Sequence, residues 1–472
     1  MNFKGISYYL SLFCFPIGFL SFLNIVYSSY SNYLLNFSSY VFTLLASLIF
    51  GFVFYFFGKK SYRKIDFHEQ ILLIIFIYIV VSSLISIPYY FSIYQISIID
   101  SLFESFSGFT GTGFTVFSNV KYLDPTLILW RSFSQWIGGL YFLIFLVLFF
   151  SNSQFNFKLN NIIHIPNKSL NPEVNIKKTS YELFFIYLSL TILIFILFSL
   201  SNVRLFNGLN LSMSLISSGG FLPTNDLNSI IKNNTQALIL VFSFLIALLN
   251  IYLVFNFFNK KNIKSIHYED FGILVIIFVL ITILTLTKTN SNLINDILNV
   301  LTSVGTSGLT LNKSSDNLSL YFLFLTLIGG SLLSNSSGIK YMRISILLKA
   351  SYIEILRLVK PNNIFNKNIL FSEKPITNDT IKLSFFVFIS FFISLFILSS
   401  LLIIDDINFE KSFKLSILTL TNTANSYLYN ESPIEFANLL TSSKISLIIF
   451  MTIGKIELLS VFLIIKKIFI KI

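Results

Sequence analysis

Four short runs of small residues are where this chain could do chemistry: Thr110-Gly111-Thr112-Gly113, Ser217-Ser218-Gly219-Gly220, Gly305-Thr306-Ser307-Gly308 and Thr421-Asn422-Thr423-Ala424. None holds a carboxylate, histidine or cysteine. What they offer is oxygen, from backbone carbonyls and from threonine and serine hydroxyls. Glycine adopts φ > 0 at no steric cost, so successive carbonyls can be turned toward one point. A ring of them can stand in for the water around a dehydrated cation. Transition metals prefer imidazole and thiolate, and a filter for divalent ions would more readily show a ring of carboxylates. The candidate ligands are Thr110, Gly111, Thr112 and Gly113, then Ser218, Gly219 and Gly220, then Thr306, Ser307 and Gly308, then Asn422, Thr423 and Ala424.

Such runs must be held at depth in a membrane, and the flanking sequence supplies the means. Each follows an apolar stretch too short to cross a bilayer, since crossing takes about 20 apolar residues. Longer stretches enclose them. Ile6–Tyr27 and Ser38–Phe57 come first; Gln70–Phe91 and Thr126–Ser151 flank the first run, and Tyr181–Leu200 and Gln236–Phe258 the second. Phe271–Leu286 and a span beginning near Leu318 flank the third, and Ile381–Ile404 and Ser443–Ile465 the fourth. A recurring unit of span, half-helix, small polar run and span weighs more than any single copy. Irregular backbone at membrane depth is tolerated only where it lines water or is buried in protein, so each run reads as a pore loop. The half-helices would aim their C-terminal, partly negative ends at the pore centre, which favours a cation there.

The expected fold is an all-α polytopic membrane protein of about ten transmembrane helices. Residues 1–66 would form two N-terminal helices, and residues 67–160, 161–265, 266–370 and 371–472 four M1–pore-loop–M2 units around one pore. The 472 residues are 54% hydrophobic and 11% charged, far more apolar than a soluble domain, with a mean hydropathy of +0.78. The first span exceeds the usual signal-peptide core of about 7–15 residues and reads as a signal anchor. The single cysteine, Cys14, excludes an intrachain disulfide framework.

The formal charge of +12 is a statement about topology. Lys59, Lys60, Arg63 and Lys64, the linker lysines Lys158, Lys168, Lys177 and Lys178, then Lys260, Lys261 and Lys264, Lys349, Arg357, Lys360 and Lys367, and Lys466, Lys467 and Lys471 all fall opposite the four runs. By the positive-inside bias that side, with the C-terminus, is the cytoplasm, and the runs open outward. Contact with anionic lipid accounts for the rest of the charge, and nucleic acid is not needed. Asp100, Glu104, Asp226, Asp296, Asp316, Asp405 and Asp406 lie on the outer side, where they could concentrate cations in a vestibule. His68, His164 and His267 fall in cytoplasmic loops and read as solvated. The sequence holds no Ser/His/Asp arrangement, phosphate loop or dinucleotide fingerprint, which leaves an enzyme reading without residues to carry it.

Chain order and local sequence resemble the ion-conducting subunit of the Trk/Ktr family of potassium uptake proteins, from Gln70 to the end. The residues that carry the resemblance are Ser107-Gly108-Phe109-Thr110-Gly111-Thr112-Gly113, Trp130-Arg131-Ser132-Phe133-Ser134-Gln135-Trp136-Ile137-Gly138-Gly139, Ser217-Ser218-Gly219-Gly220-Phe221, Gly338-Ile339-Lys340 with Arg343, and Gly454-Lys455-Ile456-Glu457. Two extra N-terminal spans favour the Trk branch. The resemblance implies a potassium-selective pore in the cytoplasmic membrane with filter glycines Gly113, Gly220 and Gly308, and Ala424 where the family has glycine. Alanine resists φ > 0, so that quarter of the filter is expected to be distorted or to use another carbonyl. The resemblance also implies an intramembrane gate at Ser334, Asn335 and Ser336, with Lys340 and Arg343 beside it, and a barrier to ions at Lys455, where the family has arginine. The alternative for Lys340 and Arg343 is snorkelling to the cytoplasmic interface, and for Lys455 an ion pair between helices. K⁺ would be the transported ion, with no organic cofactor. A homodimer and a ring of cytosolic nucleotide-binding regulatory subunits are implied as partners. Because of Ala424 and the altered gate, a pore passing Na⁺ as readily, or a non-conducting scaffold for a regulatory partner, are the competing expectations.

Overall fold

The computed structural model describes residues 3–59, 65, 67–151, 172–253, 256, 267–287, 292–311, 318–360, 365–369, 375–429 and 434–456. It is built from α-helices: α1 (Phe3–Tyr30), α2 (Phe37–Gly58), α3 (Phe67–Tyr90), α4 (Ile98–Thr110), α5 (Pro125–Ser151), α6 (Pro172–Leu200), α7 (Leu205–Ile216), α8 (Asn234–Leu248), α9 (Tyr268–Thr287), α10 (Leu293–Val304), α11 (Ser319–Ile328), α12 (Tyr341–Val359), α13 (Asn378–Ile404), α14 (Phe409–Leu420) and α15 (Thr441–Ile456). Among the described residues, six helices are long and apolar enough to cross a membrane: α1, α2, α3, α6, α9 and α13. Their outward faces carry large exposed apolar side chains such as Phe52, Phe185, Phe278 and Phe396. Such a surface has no place in water and belongs against lipid.

Local sequence sets where the helices begin. Ser97 caps α4 by accepting from the Asp100 amide, Asn233 and Gln236 form a capping box at α8, and Thr377 and Thr380 form one at α13. These caps satisfy donors that a helix start leaves unpaired. α1 and α2 pack along small residues, with Gly18 over Ser47 and Gly51 over the Phe15 ring, as expected where helices associate by close approach in lipid. The Tyr40 and Asn24 side chains then reach the start of α5: Tyr40 Oη meets Thr126 Oγ1 at 3.1 Å and Asn24 donates to the Thr126 carbonyl at 3.0 Å.

The short helices α4, α7, α10 and α14 each follow a long helix and are followed by a turn and another helix. Their packing is cyclic. α7 lies against α5, α10 against α8, α14 against α11, and α4 against α15. Every short helix therefore touches the helix that closes the preceding unit, and the first touches the last. Lys444 in α15 fastens that closure, donating to Asp100 Oδ1 of α4 at 2.6 Å and to the Ala437 carbonyl at 2.9 Å.

Two elements depart from the spans read in the sequence. α8 stops at Leu248 rather than continuing to Phe258. Its end turns aside to serve a second break: the Leu248 carbonyl accepts from the Ser331 amide at 3.1 Å, and the Ile251 amide donates to the Leu333 carbonyl at 3.2 Å. The third closing span is the other departure, split into α11 and α12 by a non-helical stretch from Gly329 to Lys340.

Candidate cation site

All four short helices end in the same way. In the first, the Gly111 amide donates to Gly108 O and the Thr112 amide to Ser107 O. The pattern repeats as Ser218 to Leu215 with Gly219 to Ser214, as Thr306 to Ser303 with Ser307 to Thr302, and as Asn422 to Thr419 with Thr423 to Leu418. This is the Schellman arrangement, which needs one left-handed residue just past the helix. That residue is Gly111 (φ 77°), Ser218 (φ 53°), Thr306 (φ 55°) or Asn422 (φ 48°). Three of the four are not glycine, and a left-handed L-residue costs about 1–2 kcal/mol. Strain of this kind collects at functional sites, where the surroundings hold it in place.

The turns converge. A Cβ on Gly113 would sit 2.6 Å from Gly220 Cα, a Cβ on Gly220 would strike the Ala424 methyl, and a Cβ on Gly308 would lie 2.5 Å from Ala424 O. The four loops approach one another at the positions Gly113, Gly220, Gly308 and Ala424, where only the smallest residues fit. Gly113 (φ 79°) and Gly308 (φ 71°) are left-handed there, whereas Gly220 and Ala424 are not. The strain expected at alanine is therefore absent: Ala424 shares the backbone class of Gly220, and the loops differ in alternating pairs.

Hydroxyl groups pair beside these turns. Thr110 and Thr112 hydroxyls meet at 2.7 Å and those of Thr421 and Thr423 at 2.9 Å. Asn422 Nδ2 donates to Thr112 Oγ1 and to the Met451 carbonyl, each at 2.9 Å. Both amide hydrogens are thus used, which fixes which end of the amide is oxygen. Asn422 Oδ1, Ser218 Oγ, Ser307 Oγ and Asn335 Oδ1 are buried with no protein partner. Leaving one such group unpaired costs about 1–3 kcal/mol, a cost that a bound cation would remove.

The loops are braced from outside by residues that the sequence reading left without a role. Gln135 Oε1 accepts from Ser214 Oγ at 2.9 Å and from the Phe221 amide at 3.2 Å, pinning the second turn to α5. Arg131 pairs with Glu104 at 2.8 Å, both side chains at most 2% exposed. Glu104 also accepts from the Val116 amide and the Thr115 hydroxyl, and the guanidinium lies 4.0 Å from the Phe221 ring centre. Glu104 is accordingly a buried brace and not a vestibule charge. Asp100 is engaged by Lys444 and Asp296 is buried, whereas Asp226 and Asp406 are exposed. Polar residues inside an apolar span were the available signal for Arg131 and Gln135.

Beneath the turns lies the stretch from Gly329 to Lys340. Asn335 Nδ2 donates to the carbonyl of Ile216, the last residue of α7, at 2.7 Å, and the Ser337 amide to Thr306 Oγ1 at 2.9 Å. Lys455 Nζ donates to Asn335 O at 2.9 Å and Ser337 Oγ at 3.3 Å, lies 4.4 Å from the Phe142 ring centre, and is 3.8 Å from where a Cβ on Gly111 would be. Lys455 therefore stands between the first turn and this loop. Lys340 and Arg343 are 1% and 3% exposed and do not snorkel. Glu269 accepts from the Leu332 amide at 2.9 Å. His267 is likewise buried, bonded to Asp270 at 2.8 Å and Asn256 at 3.0 Å, and Asp270 in turn accepts from the Asn250 amide. The reading of His267 as solvated is overturned, because the broken end of α8 folds over it. Glu457, His164, Asp316 and most of the basic-loop residues fall outside the described residues.

The sequence profile of the TrkH family, described as a cation transport protein, matches residues 38–285. An uncharacterized cation transporter of Methanocaldococcus jannaschii is 29% identical over 335 residues, covering 68% of each chain. The Trk system potassium uptake protein TrkH of Vibrio parahaemolyticus is 26% identical over 344 residues, 69% of this chain and 71% of that one. The crystal structure of the potassium transporter TrkH from Vibrio parahaemolyticus superposes with a TM-score of 0.86 over the whole of both chains at 22% identity, a likeness of fold.

Proposed function

This chain belongs to the TrkH family of cation transport proteins, and from that premise we propose that it carries K⁺ inward across the cytoplasmic membrane as the membrane subunit of a Trk potassium uptake system. The observation that carries the reading is the convergence of four left-handed turns, three of them on non-glycine residues, beside hydroxyl and amide oxygens and the loop between α11 and α12. K⁺ is the transported ion. It is coordinated by the carbonyls and hydroxyls at Thr110–Gly113, Ser218–Gly220, Thr306–Gly308 and Asn422–Ala424. The short helices α4, α7, α10 and α14 aim their carbonyl ends at this place, which lowers the energy of a cation there. Each quarter of the ring corresponds to one unit of the chain, residues 67–160, 161–265, 266–370 and 371–472, behind the two helices of residues 1–66. Inward movement follows the electrochemical gradient, with the membrane potential contributing about 2.3 kcal/mol per charge per 100 mV.

The gate is the loop through Ser334, Asn335 and Ser336, with Lys340, Arg343 and Lys455 as its cationic supports. Its bonds to Ile216 and Thr306, at the ends of α7 and α10, support the reading that it lies across the route of an ion leaving the turns. The turns open to the outside and the gate faces the cytoplasm, where a regulatory partner acts; a homodimer with a nucleotide-binding ring is the assembly we propose. The unstrained backbone of Ala424 supports K⁺ selectivity over a pore that passes Na⁺ equally.

The test is uptake into proteoliposomes under an inside-negative potential, with K⁺, Rb⁺, Na⁺ and Li⁺ in parallel. K⁺ and Rb⁺ should enter well ahead of Na⁺, and Gly113→Leu, whose side chain has no room beside Gly220, should abolish flux. Unchanged flux through Gly113→Leu would refute the assignment.

A further inference from the structure

The loop between α11 and α12 is folded around a charge that belongs to the chain itself. Lys340 has φ 75°, a conformation that a long side chain avoids. From there its side chain runs back under the loop and is almost wholly buried. Nζ donates to Ser331 O at 3.1 Å, to Ser334 O at 3.1 Å and to Ser336 O, with the Ser334 and Ser336 hydroxyls at 3.4 and 3.5 Å. An ammonium has three hydrogens to give, and three carbonyls take them. The rest of the cage is tied shut: Ser334 Oγ and Ser336 Oγ meet at 2.7 Å, and Ser336 Oγ accepts from the Gly330 amide at 2.8 Å.

Carbonyl dipoles that converge on one point repel one another in a medium of low dielectric unless a cation sits between them. Residues 331, 334 and 336 cannot keep this arrangement alone. Glu269 accepts from the Leu332 amide at 2.9 Å, so the loop is also held at the residue after Ser331. Lys455 holds the opposite edge of the loop at Asn335 and Ser337.

We propose that Lys340 is a tethered cation that positions the gate. Its ammonium takes the place that a monovalent cation would take in a carbonyl cage, and so fixes the loop across the pathway below the turns. This rests on the reading of the loop as a gate. It makes Lys340 a positioning residue whose charge and shape both matter. Methionine keeps the apolar stem but brings no charge. Arginine presents a planar fork that cannot direct three hydrogens toward three converging oxygens.

The experiment compares Lys340→Met, Lys340→Ala and Lys340→Arg with the natural protein and with Asn335→Ala, which frees the loop from Ile216 without touching the cage. Two readouts are taken in each case: Rb⁺ uptake into proteoliposomes without any partner, and the thermal midpoint of the purified protein. Each is measured with and without propylammonium, which replaces the atoms that alanine lacks. Loss of the latch should raise Rb⁺ uptake about tenfold or more in all three Lys340 variants and lower their midpoints. Propylammonium should reverse both changes in Lys340→Ala alone, because methionine and arginine fill its channel. Equal suppression of flux by propylammonium in Lys340→Met and in the natural protein would mean simple pore block and overturn the proposal. So would a Lys340→Ala midpoint that propylammonium does not move. If Asn335→Ala raises flux and the Lys340 variants do not, the latch fails and the gate stands. If neither raises it, the gate reading fails with it.

Discussion

The contact between Gly220 and Ala424 gives the sharpest test of how the four turns meet. A methyl added at Gly220 would overlap the methyl of Ala424, and Gly113 and Ser307 O close the remaining directions. Overpacking of this kind costs about 1–3 kcal/mol, which is about fivefold to 150-fold in an equilibrium between the ordered and the distorted site. Gly220→Ala should therefore reduce K⁺ uptake by one to two orders of magnitude and blunt discrimination against Na⁺. The swap is the informative variant. Gly220→Ala combined with Ala424→Gly moves one methyl across the contact and keeps the total volume, so uptake should return to within about threefold of the natural protein. The assay is the proteoliposome uptake series, run on both single variants and the double. If the double variant is no better than Gly220→Ala alone, residues 220 and 424 do not share one packed contact and the account of the convergence is wrong.

Two further outcomes follow from the braces behind the turns. Glu104→Gln leaves the Arg131 guanidinium buried without its carboxylate; breaking one side of a buried pair costs about 3–5 kcal/mol. It should lower the thermal midpoint of the purified protein sharply, and Glu104→Gln with Arg131→Met should recover much of the loss. Gln135→Leu removes the acceptor for the Ser214 hydroxyl and the Phe221 amide, about 1–3 kcal/mol for the groups left unpaired. Its effect should appear as a lower K⁺ to Na⁺ uptake ratio with little change in expression.

Much of this architecture is written in the order of residues. Apolar stretches of the sequence mark the six described helices long enough to cross a membrane, and the runs at Thr110, Ser217, Gly305 and Thr421 mark where four short helices stop. Which residue of each run is left-handed was not legible. Glycine was the cue, yet Ser218, Thr306 and Asn422 take that role because hydrogen bonds back into the preceding helix impose it. The early end of α8 was equally hidden, since Leu249, Ile251 and Leu253 continue an apolar pattern and the turn answers to the partner break that begins at Gly329. The burial of His267 was not legible because it depends on how the chain after α8 folds back, bringing Asn250 to Asp270 and Asn256 to the imidazole.

The left-handed residues that follow the four short helices are Gly111, Ser218, Thr306 and Asn422, all different, and the third closing span is split by a loop. A pore made from four identical subunits would meet any substitution four times over, so a residue harmful in one place would be harmful in all. With the four quarters joined in one polypeptide, a single codon changes a single quadrant. An asparagine that reaches sideways to Thr112, or an alanine where other quadrants have glycine, can then be tried without being repeated around the axis. Under the proposed function, a fused chain would free one quadrant to become the moving part while the other three hold the ion.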